Sequence, residues 1–335
     1  MNPPGIAVGA LGGTICMTAD SADAGALPRL SAHQLVTAVP GLAGIAQIHA
    51  ETLLQLPSPS LKLAHVLESL GWAERMVANG AAGIVLTQGT DTLEETAFLL
   101  DLLWTHPQPL VLTGAMRTPL TAGADGPANI LAAVTCAAHG GSRGRGVAVV
   151  MNNTIHEARW VRKANSMSVE TFESPVVGPA GMVLEGLPQY FRPPPRRYSQ
   201  RFAVRDPSVR VALVETCLGE TGEMLDAVAQ AGYHGIVIAA YGAGHVSEDE
   251  AKRIEALAPR LPIVIASRTG SGTTAARTYG FAGSEMDLAR RGALFSGWLG
   301  PRKARLLLWL LLATGASRDA CATAFAFWER VSDTD

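Results

Sequence analysis

The ten residues Thr87-Gln88-Gly89-Thr90-Asp91-Thr92-Leu93-Glu94-Glu95-Thr96 carry four hydroxyls, a carboxamide and three carboxylates. They begin at the end of an apolar run and finish inside a helical pattern. They therefore read as the mouth of a buried strand, a turn and a helix N-terminus. In an open parallel sheet, ligands bind beyond the carboxyl ends of strands. Free N–H groups at a helix start also favour an anion there. Thr90 and Asp91 stand at that place. A helix cap needs only one such residue. Asp91 or Thr92 would serve, with Thr92 and Glu95 as a capping box, and the polar groups left over point to chemistry.

Two more turns add reactive groups. Gly12-Gly13-Thr14-Ile15 closes an apolar run at residues 6–11. Paired glycines let the backbone approach a ligand and expose the hydroxyl that follows, Thr14; the same residues also make an ordinary turn. A dinucleotide loop would need Gly-x-Gly-x-x-Gly, which is absent. Thr113-Gly114-Ala115-Met116-Arg117 closes another run, and Asp125 is placed to cap the helix opened by Gly126-Pro127. His156 and His245 are candidates for carrying protons, against the plainer reading of each as a loop histidine.

The elements that must position these groups alternate along the chain. Residues 6–11, Gly83–Thr87, Leu110–Thr113, Val147–Met151, Val211–Glu215, Gly235–Ala240 and Ile263–Ser267 are almost wholly apolar, as strands buried on both faces of a parallel sheet are. Helical patterns fall between them. Ser31 and Gln34 form a capping box, and Ser60 could open a helix ending at Gly80. Leu93–Leu103 follows, then 128–139 with Pro127 in its first turn, 223–231, 247–257 and 303–312. The class is α/β in both halves. Phe191-Arg192-Pro193-Pro194-Pro195-Arg196-Arg197-Tyr198 can neither continue a helix nor pair inside a sheet. Residues 191–208 thus read as a linker between domains at 1–190 and 209–335, with Arg192, Arg196 and Arg197 in solvent or, alternatively, forming an anion patch.

The 335 residues are 48% hydrophobic and 17% charged, an ordinary folded composition with room for about two domains. The net charge is −2 with no basic run, which argues against nucleic acid as a partner. The run at 306–313 is far short of the ~20 residues that span a bilayer, so no membrane is expected. The start Met1-Asn2-Pro3-Pro4-Gly5 lacks a basic signal-peptide region. A cytoplasmic location is the expectation. Four cysteines without a CxxC pair rule out a disulfide scaffold; Cys136, Cys217 and Cys321 are expected in the core.

Taken in order and spacing, Gly12-Gly13-Thr14-Ile15, Thr87 to Thr96, Thr113-Gly114-Ala115-Met116-Arg117 and Ala124-Asp125-Gly126-Pro127 resemble the bacterial-type L-asparaginase/glutaminase family. The resemblance runs over essentially the whole chain and is strongest in its first 165 residues. It implies a larger N-terminal and a smaller C-terminal parallel-sheet domain. It also implies a homodimer or homotetramer with sites between subunits, and hydrolysis of a small amino-acid amide without metal or organic cofactor. L-asparagine is the expected substrate, with glutamine or D-asparagine as poorer ones.

By the same resemblance Thr14 is the nucleophile and Thr90 the second catalytic threonine. Asp91 binds the substrate α-ammonium, Ser58 its α-carboxylate, and Lys163 completes a Thr-Lys-Asp group. A free lysine titrates near ~10.4, so Lys163 is better suited to orient Thr90 and stabilise negative charge than to act as a base. The sequence departs from the family pattern in three places. Pro59 follows Ser58 where Gln is common. No tyrosine lies near Gly25 or Ala26, where the family's mobile loop carries one, and the first tyrosine in the chain is Tyr190. Ala243 stands where some members place Asn. Tyr279 is a candidate to supply the missing phenol from a neighbouring subunit, the alternative being a packed aromatic. Residues 19–28, rich in small side chains, suit a lid or a connector. A catalytically impaired amino-acid-binding paralogue is the competing function, separated from the first by ammonia release.

Overall fold

The computed structural model describes residues 3–18, 25–195, 197–198 and 202–331. Two compact units divide the chain, Met1–Ser199 and Gln200–Asp335.

The first unit is built on an eight-stranded sheet. Its strands are β1 (Gly5–Gly12), β2 (Gln47–Leu56), β3 (Gly83–Thr87), β4 (Leu110–Thr113), β5 (Val147–Met151), β6 (Thr154–Glu157), β7 (Gly181–Leu184) and β8 (Leu187–Tyr190), in the order β8-β7-β6-β5-β4-β3-β1-β2. The strands from β1 to β5 are parallel, and β6, β7 and β8 extend them antiparallel. The expected apolar runs became the central strands. Edge strand β2 was missed because only alternate positions are apolar in Gln47-Ile48-His49-Ala50-Glu51, the period of a half-buried strand. The antiparallel extension was missed because its signal lies in its turns. Asn152-Asn153 and Glu185-Gly186 are two-residue hairpin loops with φ of 49° and 57°, and of 49° and 75°. That left-handed backbone matches the twist of the flanking strands.

Helices α1 (Ala32–Thr37), α2 (Leu63–Ala78), α3 (Leu93–Leu103) and α4 (Gly126–Ala138) pack on this sheet. Ser31 and Gln34 form the anticipated box. Three expected caps take other forms. Ser60 lies in a short 3-10 turn, and α2 begins after Lys62. Thr92 precedes α3 without a side-chain capping bond. Asp125 precedes α4 but turns its carboxylate to the loop after β4, accepting from the N–H of Met116 and of Arg117.

The second unit holds a four-stranded parallel sheet of β9 (Val211–Glu215), β10 (Gly235–Ala240), β11 (Ile263–Ser267) and β12 (Leu294–Phe295). It carries helices α5 (Glu223–Gln230), α6 (Glu248–Leu257) and α7 (Pro301–Ala313). Ser247 and Glu250 close a complete capping box on α6. Helix α7 buries Leu306, Leu307, Leu308, Leu310 and Leu311, which accounts for its apolar run. No helix among the described residues is long and apolar enough to cross a membrane.

The basic segment after β8 is not a solvated tether where it is described. Arg192 pairs with Glu157 at 3.0 Å and donates to the carbonyl of Val177 at 2.9 Å. Arg197 pairs with Asp101 at 3.2 Å and donates to the carbonyls of Asp101 and Trp104 at the end of α3. Arg196 lies outside the described residues, as do 199–201 of the proposed linker. Burial pushes the Asp101 carboxyl up, opposed by Arg197 and the Val147 N–H. Arg197→Ala would strand that carboxylate and the helix-end carbonyls. We expect a loss of about 2–3 kcal/mol, below the full cost of breaking a buried pair because both side chains keep some exposure. A urea midpoint equal to wild type would show that the clamp contributes nothing.

Cys217 also departs from expectation: it is exposed, on the loop after β9, whereas Cys136 and Cys321 are buried. The two residues before the 19–28 segment pair with its last two as a short ribbon, Met17 with Pro28 and Thr18 with Leu27. Residues 19–24 of that candidate lid lie outside the described residues.

Candidate active site

Four turns meet at the carboxyl ends of the parallel strands in the first unit. Gly12-Gly13 leaves β1, Pro57-Ser58 leaves β2, Gln88-Gly89 leaves β3 and Gly114 leaves β4. Their closeness depends on missing side chains. A Cβ on Gly12 would lie 2.3 Å from the Leu56 carbonyl oxygen, and one on Gly13 would lie 2.1 Å from the Gly89 nitrogen. Gly13 has φ 87° and ψ −178°, a backbone nearly closed to other residues. The glycines at 13 and 89 each precede a threonine, so their contact brings the turns of Thr14 and Thr90 side by side.

Thr90 opens a 3-10 turn, Thr90–Thr92, that runs straight into α3. It is buried, while the Asp91 side chain is 57% exposed. Lys163 comes from the two-residue strand Arg162–Lys163, paired with Phe172–Glu173. Its Nζ donates to Thr90 Oγ1 at 2.9 Å and to Asp91 Oδ1 at 2.7 Å. An ammonium has donors only. Thr90 Oγ1 must therefore accept, and its own hydrogen is left to point elsewhere.

Ser58 is buried beneath Asp91. Its hydroxyl donates to Asp91 Oδ2 at 3.4 Å and accepts from the Asp91 N–H at 3.3 Å, both long. Thr92, expected as a cap, donates to the Ser58 carbonyl at 3.2 Å and accepts from Gln88 Nε2 at 3.0 Å. The surplus polarity of the 87–96 segment is thus spent on cross-turn bonds that tie β3 to the turn after β2. Sequence reasoning missed this role for Gln88 and Thr92; the alternation of polar and apolar residues gave no sign of it. Asn129 joins the rear of the site by donating to Gly114 O at 3.0 Å and accepting from the Asn152 N–H at 2.9 Å.

Thr14 is half-buried at the start of the 3-10 turn Thr14–Cys16. Among the described residues its hydroxyl has no hydrogen-bond partner. The neighbouring nucleophile in that turn is disabled: burial pushes the Cys16 thiol up to about 11, and its Sγ donates to the Gly13 carbonyl. A thiol in that state holds almost no thiolate near neutrality. No group of three or more His, Cys, Asp or Glu suited to a metal occurs among the described residues.

Thr14, Ser58, Thr90, Asp91 and Lys163 all belong to the first unit; Tyr279 belongs to the second. Tyr279 is 44% exposed, and its ring sits edge-on to His245 at 4.8 Å, so part of it is packed. His245 is not a free loop histidine. It lies against Phe281 as well and pairs with the buried Glu285 at 3.3 Å, though not in hydrogen-bonding alignment. Burial pushes the Glu285 carboxyl up, but the N–H groups of Tyr279 and Thr278, with His245, bring it below the ordinary range. His156 is buried and bonded to Ser174 Oγ at 3.0 Å, a structural position.

Residues 5–196 match the family model "Asparaginase, N-terminal", and residues 210–325 match the "Glutaminase/Asparaginase C-terminal domain". The chain is 36% identical over 316 residues to a probable periplasmic L-asparaginase of Haemophilus influenzae, covering 92% of this chain and 88% of that protein. It is 35% identical to L-asparaginase 2 of Escherichia coli, covering 92% and 89%. The crystal structure of a probable cytoplasmic L-asparaginase from Campylobacter jejuni superposes with a TM-score of 0.85 at 29% identity, covering 96% of this chain and 99% of that one.

Proposed function

The chain belongs to the asparaginase family, and on that premise we propose that it hydrolyses the side-chain amide of L-asparagine to L-aspartate and ammonia through an ester on Thr14. The observation that carries the reading is the Lys163 ammonium held between Thr90 and Asp91, on a turn packed against the one that bears Thr14.

The residues divide the work by their chemistry. Asp91, paired with Lys163 yet open to solvent, can also receive a substrate α-ammonium. Ser58 is the proposed contact for the α-carboxylate, since its long bonds to Asp91 leave the hydroxyl free to turn. Thr14 Oγ1 attacks the amide carbon and gives up its proton; the amide nitrogen takes a proton and leaves as ammonia. Water then attacks the ester, releasing aspartate and restoring the hydroxyl. An alcohol needs help to react at neutral pH. Thr90 supplies part of it: its hydrogen, freed because Lys163 donates to its oxygen, is available to the developing oxyanion or the attacking water. Tyr279 is our candidate for a phenol lent by a second copy in a homodimer or homotetramer. A cytoplasmic location completes the reading; the Haemophilus relative is periplasmic, so cell fractionation tests it.

The deciding measurement is ammonia release from purified protein given L-asparagine, L-glutamine or D-asparagine. L-asparagine should be turned over fastest. Glutamine differs by one methylene, which in a pocket is worth about 1–3 kcal/mol, or roughly 10–200-fold in kcat/KM. Pro59 and the absent loop tyrosine favour a second reading, an amino-acid-binding paralogue. Tight L-asparagine binding with no ammonia from any of the three amides would establish it instead.

A further inference from the structure

Glu94 carries a carboxylate that neither the reaction above nor helix capping uses. It lies in the first turn of α3, is 4% exposed, and its Oε2 accepts the backbone N–H of Lys163 at 2.5 Å. We propose that Glu94 is a positioning residue for the Lys163 ammonium; the catalytic part of this proposal rests on the asparaginase reading.

Lys163 is held at both ends by one short stretch of chain. Its Nζ meets Thr90 and Asp91, and its backbone nitrogen meets Glu94, all within residues 90–94. Apart from that attachment, the Lys163 backbone is placed by its pairing with Phe172 and by the Ala164 N–H donating to the Thr171 carbonyl at 2.7 Å. Its strand is two residues long, and the loop it enters exposes Met167 by 82%. A ribbon so short is weakly ordered by itself, and lysine has four side-chain torsions over which its ammonium could wander. Tying the backbone nitrogen sets the origin of that side chain. The ammonium then falls between Thr90 and Asp91 without a search. The start of α3 also suits a carboxylate, because the free N–H groups of a first helical turn favour negative charge. What the device requires of residue 94 is an acceptor at the right height, and a carboxamide oxygen supplies one too.

The test compares wild type with Glu94→Ala and Glu94→Gln. Displacing a catalytic group by about 1 Å costs on the order of 10²-fold. We therefore expect Glu94→Ala to lower kcat for L-asparagine by about 10–100-fold while KM moves less than about threefold. Glu94→Gln should restore kcat to within about threefold. A second readout does not depend on turnover. The chain has four lysines, Lys62, Lys163, Lys252 and Lys303, so ¹⁵N-lysine labelling gives four backbone amide signals. The Lys163 amide should exchange slowly in wild type and in Glu94→Gln, and at least about tenfold faster in Glu94→Ala. Wild-type kcat in a folded Glu94→Ala protein, or an equal fall in both variants, would overturn the positioning role. Unchanged Lys163 exchange in Glu94→Ala would overturn the attachment itself. If wild type releases no ammonia from any amide, the asparaginase reading fails, and the exchange measurement still judges the attachment.

Discussion

Thr14→Ala is expected to lower kcat for ammonia release from L-asparagine by at least ~10³-fold, the scale seen when a nucleophile is removed. Fold and substrate binding should survive, because the Thr14 hydroxyl carries no hydrogen bond among the described residues and its removal leaves no partner stranded. The candidate for a substitute is poor. Cys16, in the same turn, is buried, its thiol is pushed up to about 11, and it is bonded to the Gly13 carbonyl. Water attacking directly would have Thr90 and Lys163 still in place, which sets a residual rate but not a competitive one. Binding of L-asparagine, measured by calorimetry on the variant, separates loss of chemistry from loss of the pocket. Turnover within tenfold of wild type would remove Thr14 from the nucleophile role.

Gly13→Ala should be almost as damaging, although it deletes no functional group. Two effects act together. At φ 87° and ψ −178° any side chain is strained, by on the order of 1–3 kcal/mol. The new methyl would also lie 2.1 Å from the Gly89 nitrogen and 2.2 Å from its Cα. Those are backbone atoms of the turn that presents Thr90, and they cannot rotate aside. The two turns must separate, and an ångström of separation between Thr14 and Thr90 costs about 10²-fold in rate. We expect kcat to fall by about that factor or more, together with a lower melting temperature. Gly140→Ala is the control: its φ is not positive and nothing lies within 4 Å of an added Cβ. If both variants behave like wild type, the close approach of the two turns has no part in the reaction.

These contacts show why reading the sequence went as far as it did. Buried parallel strands are continuous apolar runs, so Gly83–Thr87, Leu110–Thr113 and Gly235–Ala240 could be bounded to the residue. Edge strand β2 could not, because half its residues are exposed, and neither could the antiparallel hairpins, whose identity rests on their turns and pairing. The basic linker was misjudged for a related reason. Charge in a sequence says nothing of its counter-ion, and Arg192 and Arg197 found Glu157 and Asp101 some 35 and 96 residues away. Thr92 looked like a cap because capping is a local rule; its hydroxyl instead serves Ser58, 34 residues earlier.

Residue types and their order along the chain were enough to nominate the reactive residues and to place most of them at strand ends. Side-chain type, glycine placement and hydrophobic period are local properties, written in consecutive positions. Which of these residues touch one another followed from the fold alone. It set the Lys163 ammonium on Thr90 and Asp91, the Glu94 carboxylate on the Lys163 backbone, and Gly13 against Gly89. Each of those contacts joins segments far apart in the chain, so its geometry is set by tertiary packing rather than by any stretch of neighbouring residues.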